Sequence, residues 1–149
     1  MLQLILKDDF IYYDTSKNIC STFYVKANDT AFPDDKWYDL PISVFTIWNE
    51  NIIKYNNKKR CEFKLFFMDG PFYIECQKEG NNVLMRFINN KISPIEKYTF
   101  ETTFSDLKNS VYNGATQLVN LISQKEIGNL SGLDKLKQTT DTLKDLIKK

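Results

Sequence analysis

The chain contains no histidine. That absence removes Ser-His-Asp and Cys-His catalysis, imidazole acid-base chemistry, Cys2His2 zinc and the two-histidine facial iron site. What survives is carboxylate, lysine, tyrosine or bare-thiol chemistry. Cysteine is scarce too. Cys20, Cys61 and Cys76 are odd in number and widely spaced, with no Cys-x-x-Cys pair, which reads as buried thiols in a reducing compartment rather than as a disulfide or metal set. Neither charge sign dominates: twenty basic and nineteen acidic side chains leave +1 overall, and residues 1–60 carry eight of each. Without a basic arm or an acidic tail, a dedicated DNA binder and a membrane-surface protein are both disfavoured. No apolar run approaches the roughly 20 residues that span a bilayer. The opening Met1–Lys7 lacks the basic flank and long apolar stretch of a signal peptide, so the expected location is the cytoplasm. Gly-x-Gly-x-x-Gly and Walker patterns are missing, which leaves nucleotide binding unsupported, and no cofactor is expected.

What is present is enough apolar residue for one substantial core: 42% of 149 residues, a length for which a single domain is the default. Segments 2–7, 10–14 and 19–26 are strand-like, with turn chemistry at Asp14–Asn18. A polar stretch over 27–36 leads to Asp39, read as a helix N-cap, with Pro41 tolerated in the first turn. Val44, Phe45, Trp48, Ile52 and Tyr55 follow at helical spacing, giving one apolar face to lay on a sheet. Strict alternation then begins, with Cys61, Phe63, Leu65 and Phe67 on one side and Glu62, Lys64 and Phe66 on the other. Asp69-Gly70 reads as a two-residue type I′ hairpin turn, Pro71 as a residue outside the ladder, and 78–82 as the turn before a third meander strand over 83–88. Past Pro94 the period becomes helical. Thr103 with Asp106 marks an N-terminus for the stripe Phe104, Leu107, Val111, Gly114, Leu118, Leu121 and Ile122. Residues 128–132 break it, and Ser131 with Asp134 opens a last helix along Leu133, Leu136, Leu143, Leu146 and Ile147. The expected fold is α+β: an antiparallel sheet of about five or six strands, one inserted helix and two C-terminal helices packed on one face. Residues 1–98 form the sheet and inserted helix, and 99–149 a helical hairpin, in one domain.

Few residues offer chemistry. Asp34, Asp35 and Asp39 are the densest acidic group; they fit a solvated loop with an N-cap, a partner-binding acidic patch, or least well a cation site, since they lack the alternation and terminal glutamate of an EF-hand. Glu62 and Glu75 share a sheet region, where the plain reading is outward strand residues beside Lys64 or Arg86 rather than a glycosidase pair. Cys76 has no base to activate it and reads as packing. Phe66, Phe72 and Tyr73 would suit base stacking if positive charge interleaved them, but Glu62, Asp69 and Glu75 occupy the same hairpin, so nucleic acid is disfavoured and core packing is favoured. Trp37 and Trp48 likewise read as core rather than as a ligand cage.

The pattern Phe32-Pro33, Trp37, Asp39, Pro41, Val44, Trp48, followed by Phe67-Met68-Asp69-Gly70-Pro71-Phe72-Tyr73-Ile74, resembles small bacterial immunity proteins that accompany polymorphic and contact-dependent toxins. The resemblance covers about residues 30–76. It implies a cytoplasmic, non-enzymatic protein that neutralises a cognate toxin by direct binding, with no residue-level site to carry over. From the residues themselves, the expected contact surface is Asp34, Asp35 and Asp39, or failing that the strand face near Glu62, Tyr73 and Glu75. The expected state is a monomer or homodimer. Two other readings stand beside this one: a structural or assembly protein, perhaps of phage origin, self-associating through its C-terminal helices, and a small-ligand or single-strand nucleic-acid module using the aromatic sheet.

Overall fold

The computed structural model describes residues 1–13, 17–127 and 130–148. The turn expected at Asp14–Asn18, the break at 128–132 and the terminal Lys149 lie partly or wholly outside them. The elements run β1 (Leu2–Leu6), β2 (Ile11–Tyr13), β3 (Asn18–Ala27), β4 (Thr30–Phe32), β5 (Tyr38–Asp39), α1 (Pro41–Tyr55), β6 (Arg60–Phe66), β7 (Phe72–Glu79), β8 (Asn82–Asn89), β9 (Ile95–Thr103), α2 (Phe104–Gln124) and α3 (Leu133–Lys148). The class is α+β, as the sequence predicts. The strands make two antiparallel sheets rather than one: β3 is the hub that pairs with β1, β2, β4 and β5, and β6-β7-β8-β9 form a separate meander.

β3 can be a hub because it is long and its odd positions are apolar or small. Ile19, Ser21, Phe23, Val25 and Ala27 are all buried, while its even positions carry Tyr24 and Lys26 outward. β1 and β4 both pair with residues 25–27, so they must flank opposite edges. In the meander the alternation read from sequence holds: Phe63, Leu65 and Phe67 are buried, and Phe66 is exposed. Two turn expectations fail. Phe67 N donates to Phe72 O at 3.1 Å, closing a four-residue loop over 68–71. Asp69 is not among the residues with positive φ, which a type I′ turn would require. The β7-β8 turn is tighter than expected, because Glu79 pairs with Asn82 and only Gly80 (φ +60°) and Asn81 connect them. Residues 95–103, read as the approach to a helix, are a full strand; a bulge at Phe87/Ile88 shifts the β9 register.

α1 is buried on more than the expected face. Val44, Phe45, Trp48 and Ile52 are fully enclosed, and so are Ile42 and Asn49. The Phe45 and Trp48 side meets Phe23 of the β3 sheet and Phe67 at the end of β6 through edge-on ring contacts of 5.1–5.6 Å. On another side, Asn49 Nδ2 donates to the Thr139 and Thr140 hydroxyls of α3, each at 3.1 Å. Those two threonines fill the gap in the leucine stripe between Leu136 and Leu143. α2 starts as predicted, with the Thr103 side chain accepting from Asp106 N at 3.1 Å, and its stripe packs on β1, β9, α1 and α3. At Gly114 a Cβ would meet the Phe45 ring at 2.6 Å, so glycine there permits close approach of α2 to α1.

Trp48 links these layers: it is 1% exposed, and its indole N–H donates to Phe66 O at 2.8 Å. We predict that Trp48→Ala lowers stability by about 3–5 kcal/mol, the usual cost of emptying a buried aromatic site. Urea unfolding would show it, and a midpoint close to wild type would contradict the placement.

Candidate functional site

Asp39 organises the end of the molecule where the sequence placed its candidate residues. It is not a helix N-cap. The cap position of α1 is Leu40, with no side-chain cap bond, and Asp39 sits in β5 at 1% exposure. Its carboxylate accepts Trp37 Nε1 at 2.8 Å, Leu40 N at 2.7 Å and Met68 N at 3.1 Å. A single buried anion thereby holds the 33–37 turn, the start of α1 and the 68–71 loop together. Burial raises its pKa above the ordinary carboxylate value, and the hydrogen bonds from Trp37 and from the Leu40, Asp69 and Met68 amides oppose that shift. Asp39 therefore offers no surface to a partner, because every N–H around it is spent inside the fold.

Gly70 and Trp37 complete the arrangement. Gly70 has φ +144°, and a Cβ there would lie 2.7 Å from the Trp37 ring. The indole is half-buried and meets Phe72 edge-on at 5.1 Å, so the 33–37 turn lies directly against the 68–72 segment. Asp34 and Asp35 on that turn are exposed. Asp34 Oδ1 accepts Lys36 N at 2.8 Å, a local turn-forming bond. On the far side of β5, Asp9 braces the same segment: its carboxylate accepts Thr22 N, the Thr22 hydroxyl and the Tyr38 hydroxyl at 2.7–2.9 Å. Burial pushes Asp9 up, but these bonds outweigh it and hold its pKa below the ordinary value.

The remaining predicted residues lie on the outer face of the meander. Cross-strand pairing places Phe66, Tyr73 and Ile88 in one row, Lys64, Glu75 and Arg86 in the next, and Glu62, Gln77 and Leu84 in the third. Glu62 is exposed and Glu75 half-exposed. Tyr73 is only 7% exposed, a correction to its reading as an open surface residue. It is covered by the Phe66 ring at 5.3 Å and the Lys64 ammonium at 5.0 Å. Lys64 and Arg86 flank Glu75 in register, but Arg86 makes its ion pair with Glu96 at 3.2 Å.

In the first row Phe66 is the open member, since Tyr73 and Ile88 are each 7% exposed, and Ile88 pairs onward with Glu96 while Ile95 pairs with Asn89, outside that row. Phe66 is 44% exposed, and Ile92 and Ile95, in and just beyond the loop that follows β8, are 96% and 52% exposed. Asn90 N donates to Pro71 O at 2.8 Å, bringing that loop beside the 68–71 loop. A groove of about 500 Å³ runs alongside between α1 and β6, with Ile47 and Phe66 in its walls. The Trp37–Phe72 contact ties the turn carrying Asp34 and Asp35 to the inner face of β7, opposite the face that carries Tyr73, Glu75 and Glu62, so this contact does not join the two predicted groups on one face; at the same end the structure adds the exposed Phe66, Ile92 and Ile95. Ile92 and Ile95 went unread in the sequence; their place on either side of Ser93-Pro94 is the signal that was there. Among the described residues, no group of three or more Cys, Asp or Glu side chains is placed to hold a metal ion. Cys76 is fully buried, and burial pushes its thiol pKa up.

No protein-family model matches this chain, and neither the curated proteins nor the solved structures show a match.

Asp39→Asn would retain one acceptor oxygen but turn an amide N–H₂ toward N–H donors. We predict a loss of about 1–3 kcal/mol at neutral pH, the cost of leaving buried donors unpaired. The sign of the pH effect follows from the raised pKa: the folded state holds the Asp39 proton more tightly than the unfolded chain, so wild type gains stability as pH falls toward the ordinary carboxylate value. The gap between wild type and Asp39→Asn should therefore widen on going from neutral to mildly acidic pH. Urea titrations across that range check it; a gap that narrows would show a pKa below the ordinary value.

Proposed function

We propose that this chain is a non-enzymatic binding protein that neutralises a cognate bacterial toxin, and that it engages the toxin through the end of the molecule carrying Phe66, Ile92 and Ile95. The observation that carries this reading is a set of exposed apolar side chains at one end of the meander, Phe66, Ile92 and Ile95, with charged residues nearby. Aromatic and aliphatic anchors inside a polar rim are the anatomy of a specific protein interface. The two loops tied by Asp39, residues 33–37 and 68–71, carry Asp34, Asp35 and Asp69 against Lys36 alone, so the rim on that side complements a basic partner. Nucleases with cationic substrate clefts are partners of that chemistry, and charge complementarity would speed their capture and fix orientation. The sequence resemblance over residues 30–76 covers the same Trp37, Asp39 and 67–74 elements that build this end. An inhibitor needs a rigid scaffold and a surface rather than a nucleophile, and the histidine-free composition suits that role.

The partner to use is the protein encoded by the adjacent gene. Phe66→Ala should leave the fold intact, because Phe66 is exposed, and should weaken binding by about thirtyfold if the ring is an interfacial anchor worth roughly 2 kcal/mol. Asp34→Lys with Asp35→Lys should slow association and flatten its salt dependence while leaving dissociation nearly unchanged. Calorimetry and stopped-flow association would read both effects. Unchanged affinity in the Phe66→Ala variant, or a Phe66-dependent dimer of this chain in place of the complex, would overturn the assignment.

A further inference from the structure

At the opposite end of the meander, where β6 begins and β7 turns into β8, the chain gathers lysines with no carboxylate among them. A cavity of about 500 Å³ is lined by Lys58, Lys59, Lys78 and Lys108, with Asn57, Asn81 and Phe104 among the rest of its wall. No aspartate or glutamate lines it. None of the four lysines belongs to an ion pair among the described residues, although lysines elsewhere in the chain pair with Asp8 and Glu50.

Two of the four are held in place. Lys78 is 5% exposed, and its ammonium donates to the carbonyl oxygens of Tyr55 (2.9 Å), Asn56 (3.2 Å) and Lys58 at the C-terminal end of α1. It also lies 4.2 Å from the Phe104 ring centre. It contributes fixed charge at the cavity floor rather than a free donor. Lys108, on the first turns of α2, donates to Asn56 Oδ1 at 2.9 Å, and desolvation and then the neighbouring Lys78 lower its pKa. Lys58 and Lys59 are exposed at the rim. The start of α2 adds no open donors here, since Phe104 N is bonded to Asn81 O, Ser105 N to Asn81 Oδ1 and Asp106 N to Thr103 Oγ1. The attraction for an anion is therefore the lysines' own. Two mutually repelling ammonium groups in a part-desolvated cavity, with two exposed ones at its mouth, of which Lys58 lies 5.4 Å from the Tyr55 ring centre, are stabilised most by a compact multivalent anion that several of them can reach at once.

We propose that this cavity binds a small phosphate-bearing anion, at a site separate from the surface assigned to protein binding. Inorganic phosphate and pyrophosphate are the probes, tested by calorimetry and thermal unfolding at constant ionic strength against chloride. Saturable binding of both, tighter for pyrophosphate, is expected. The double variant Lys59→Gln, Lys108→Gln should weaken it by about tenfold or more, since it removes two charge-assisted hydrogen bonds to the anion. The matched variant Lys7→Gln, Lys137→Gln, which removes equal charge from exposed positions outside the lining, should leave it unchanged. A thermal shift that chloride reproduces, or equal loss in both double variants, would reduce the effect to general screening and overturn the site. A short single-stranded oligonucleotide binding more tightly per phosphate than pyrophosphate would assign the lysines to a polymer backbone and overturn the small-anion assignment.

Discussion

The Asp39 carboxylate is the constraint from which the arrangement of this fold follows. Taking a carboxylate out of water with no cation beside it costs several kcal/mol unless its lone pairs are filled. Here they are filled by N–H groups from three pieces of chain: the Trp37 indole, the first residue before α1, and the Met68 amide across the sheet boundary. Each donor is therefore fixed relative to the others. The β3 sheet carries Asp39 in β5, the meander carries Met68 just past β6, and α1 begins one residue after Leu40, so one group sets the relation among two sheets and the helix between them.

That relation decides which aromatics are core and which are surface. With β5 and the 68–71 loop pinned, Phe23, Phe32 and Phe67 meet along the seam between the sheets at ring separations of 5.7–5.9 Å, and Trp37 closes over Gly70. The meander's inner face is consumed by this seam and by α1, while its outer face is left with Phe66 half open and Tyr73 beneath it. A chain of near-neutral charge and modest apolar content thus exposes Phe66, Ile92 and Ile95 at this end without exposing its core. Those side chains and the lysine cavity lie at opposite ends of the same four strands, so occupying one need not obstruct the other.

Much of this was legible in the sequence where a single periodicity dominated. The alternation from Cys61 to Phe67 and the Phe104 to Ile122 stripe predicted both elements and their buried faces, and the Thr103–Asp106 spacing located a real cap. The misreadings came where local rules competed with tertiary ones. Asp39 before Pro41 has the signature of an N-cap, yet its carboxylate is turned toward Met68, a partner no local pattern reveals. Asp69-Gly70 has the signature of a two-residue turn, but Gly70 is needed for the approach of Trp37 rather than for a type I′ geometry. β9 carries alternation at Tyr98, Phe100 and Thr102, but these side chains are only half-buried and polar residues surround them, so the pattern is weak. β4 and β5 are too short to carry any pattern. In α3 the apolar stripe is interrupted by Thr139 and Thr140, and their partner, Asn49, is ninety residues away. Of the candidate surface, the acidic turn and the Glu62–Glu75 face could be named from sequence; that Trp37 packs on Phe72 and ties that turn to the inner side of the meander, away from Glu62 and Glu75, could not.

The central claim is that the end of the molecule ordered by Asp39 is the face presented to a protein partner. Hydrogen–deuterium exchange of the chain alone and mixed with the product of the adjacent gene tests it most directly. The account predicts new protection in residues 33–37, 66–73 and 88–95, with α2 and α3 unchanged. Protection confined to α2 and α3, with those three segments exchanging as in the free protein, would contradict it.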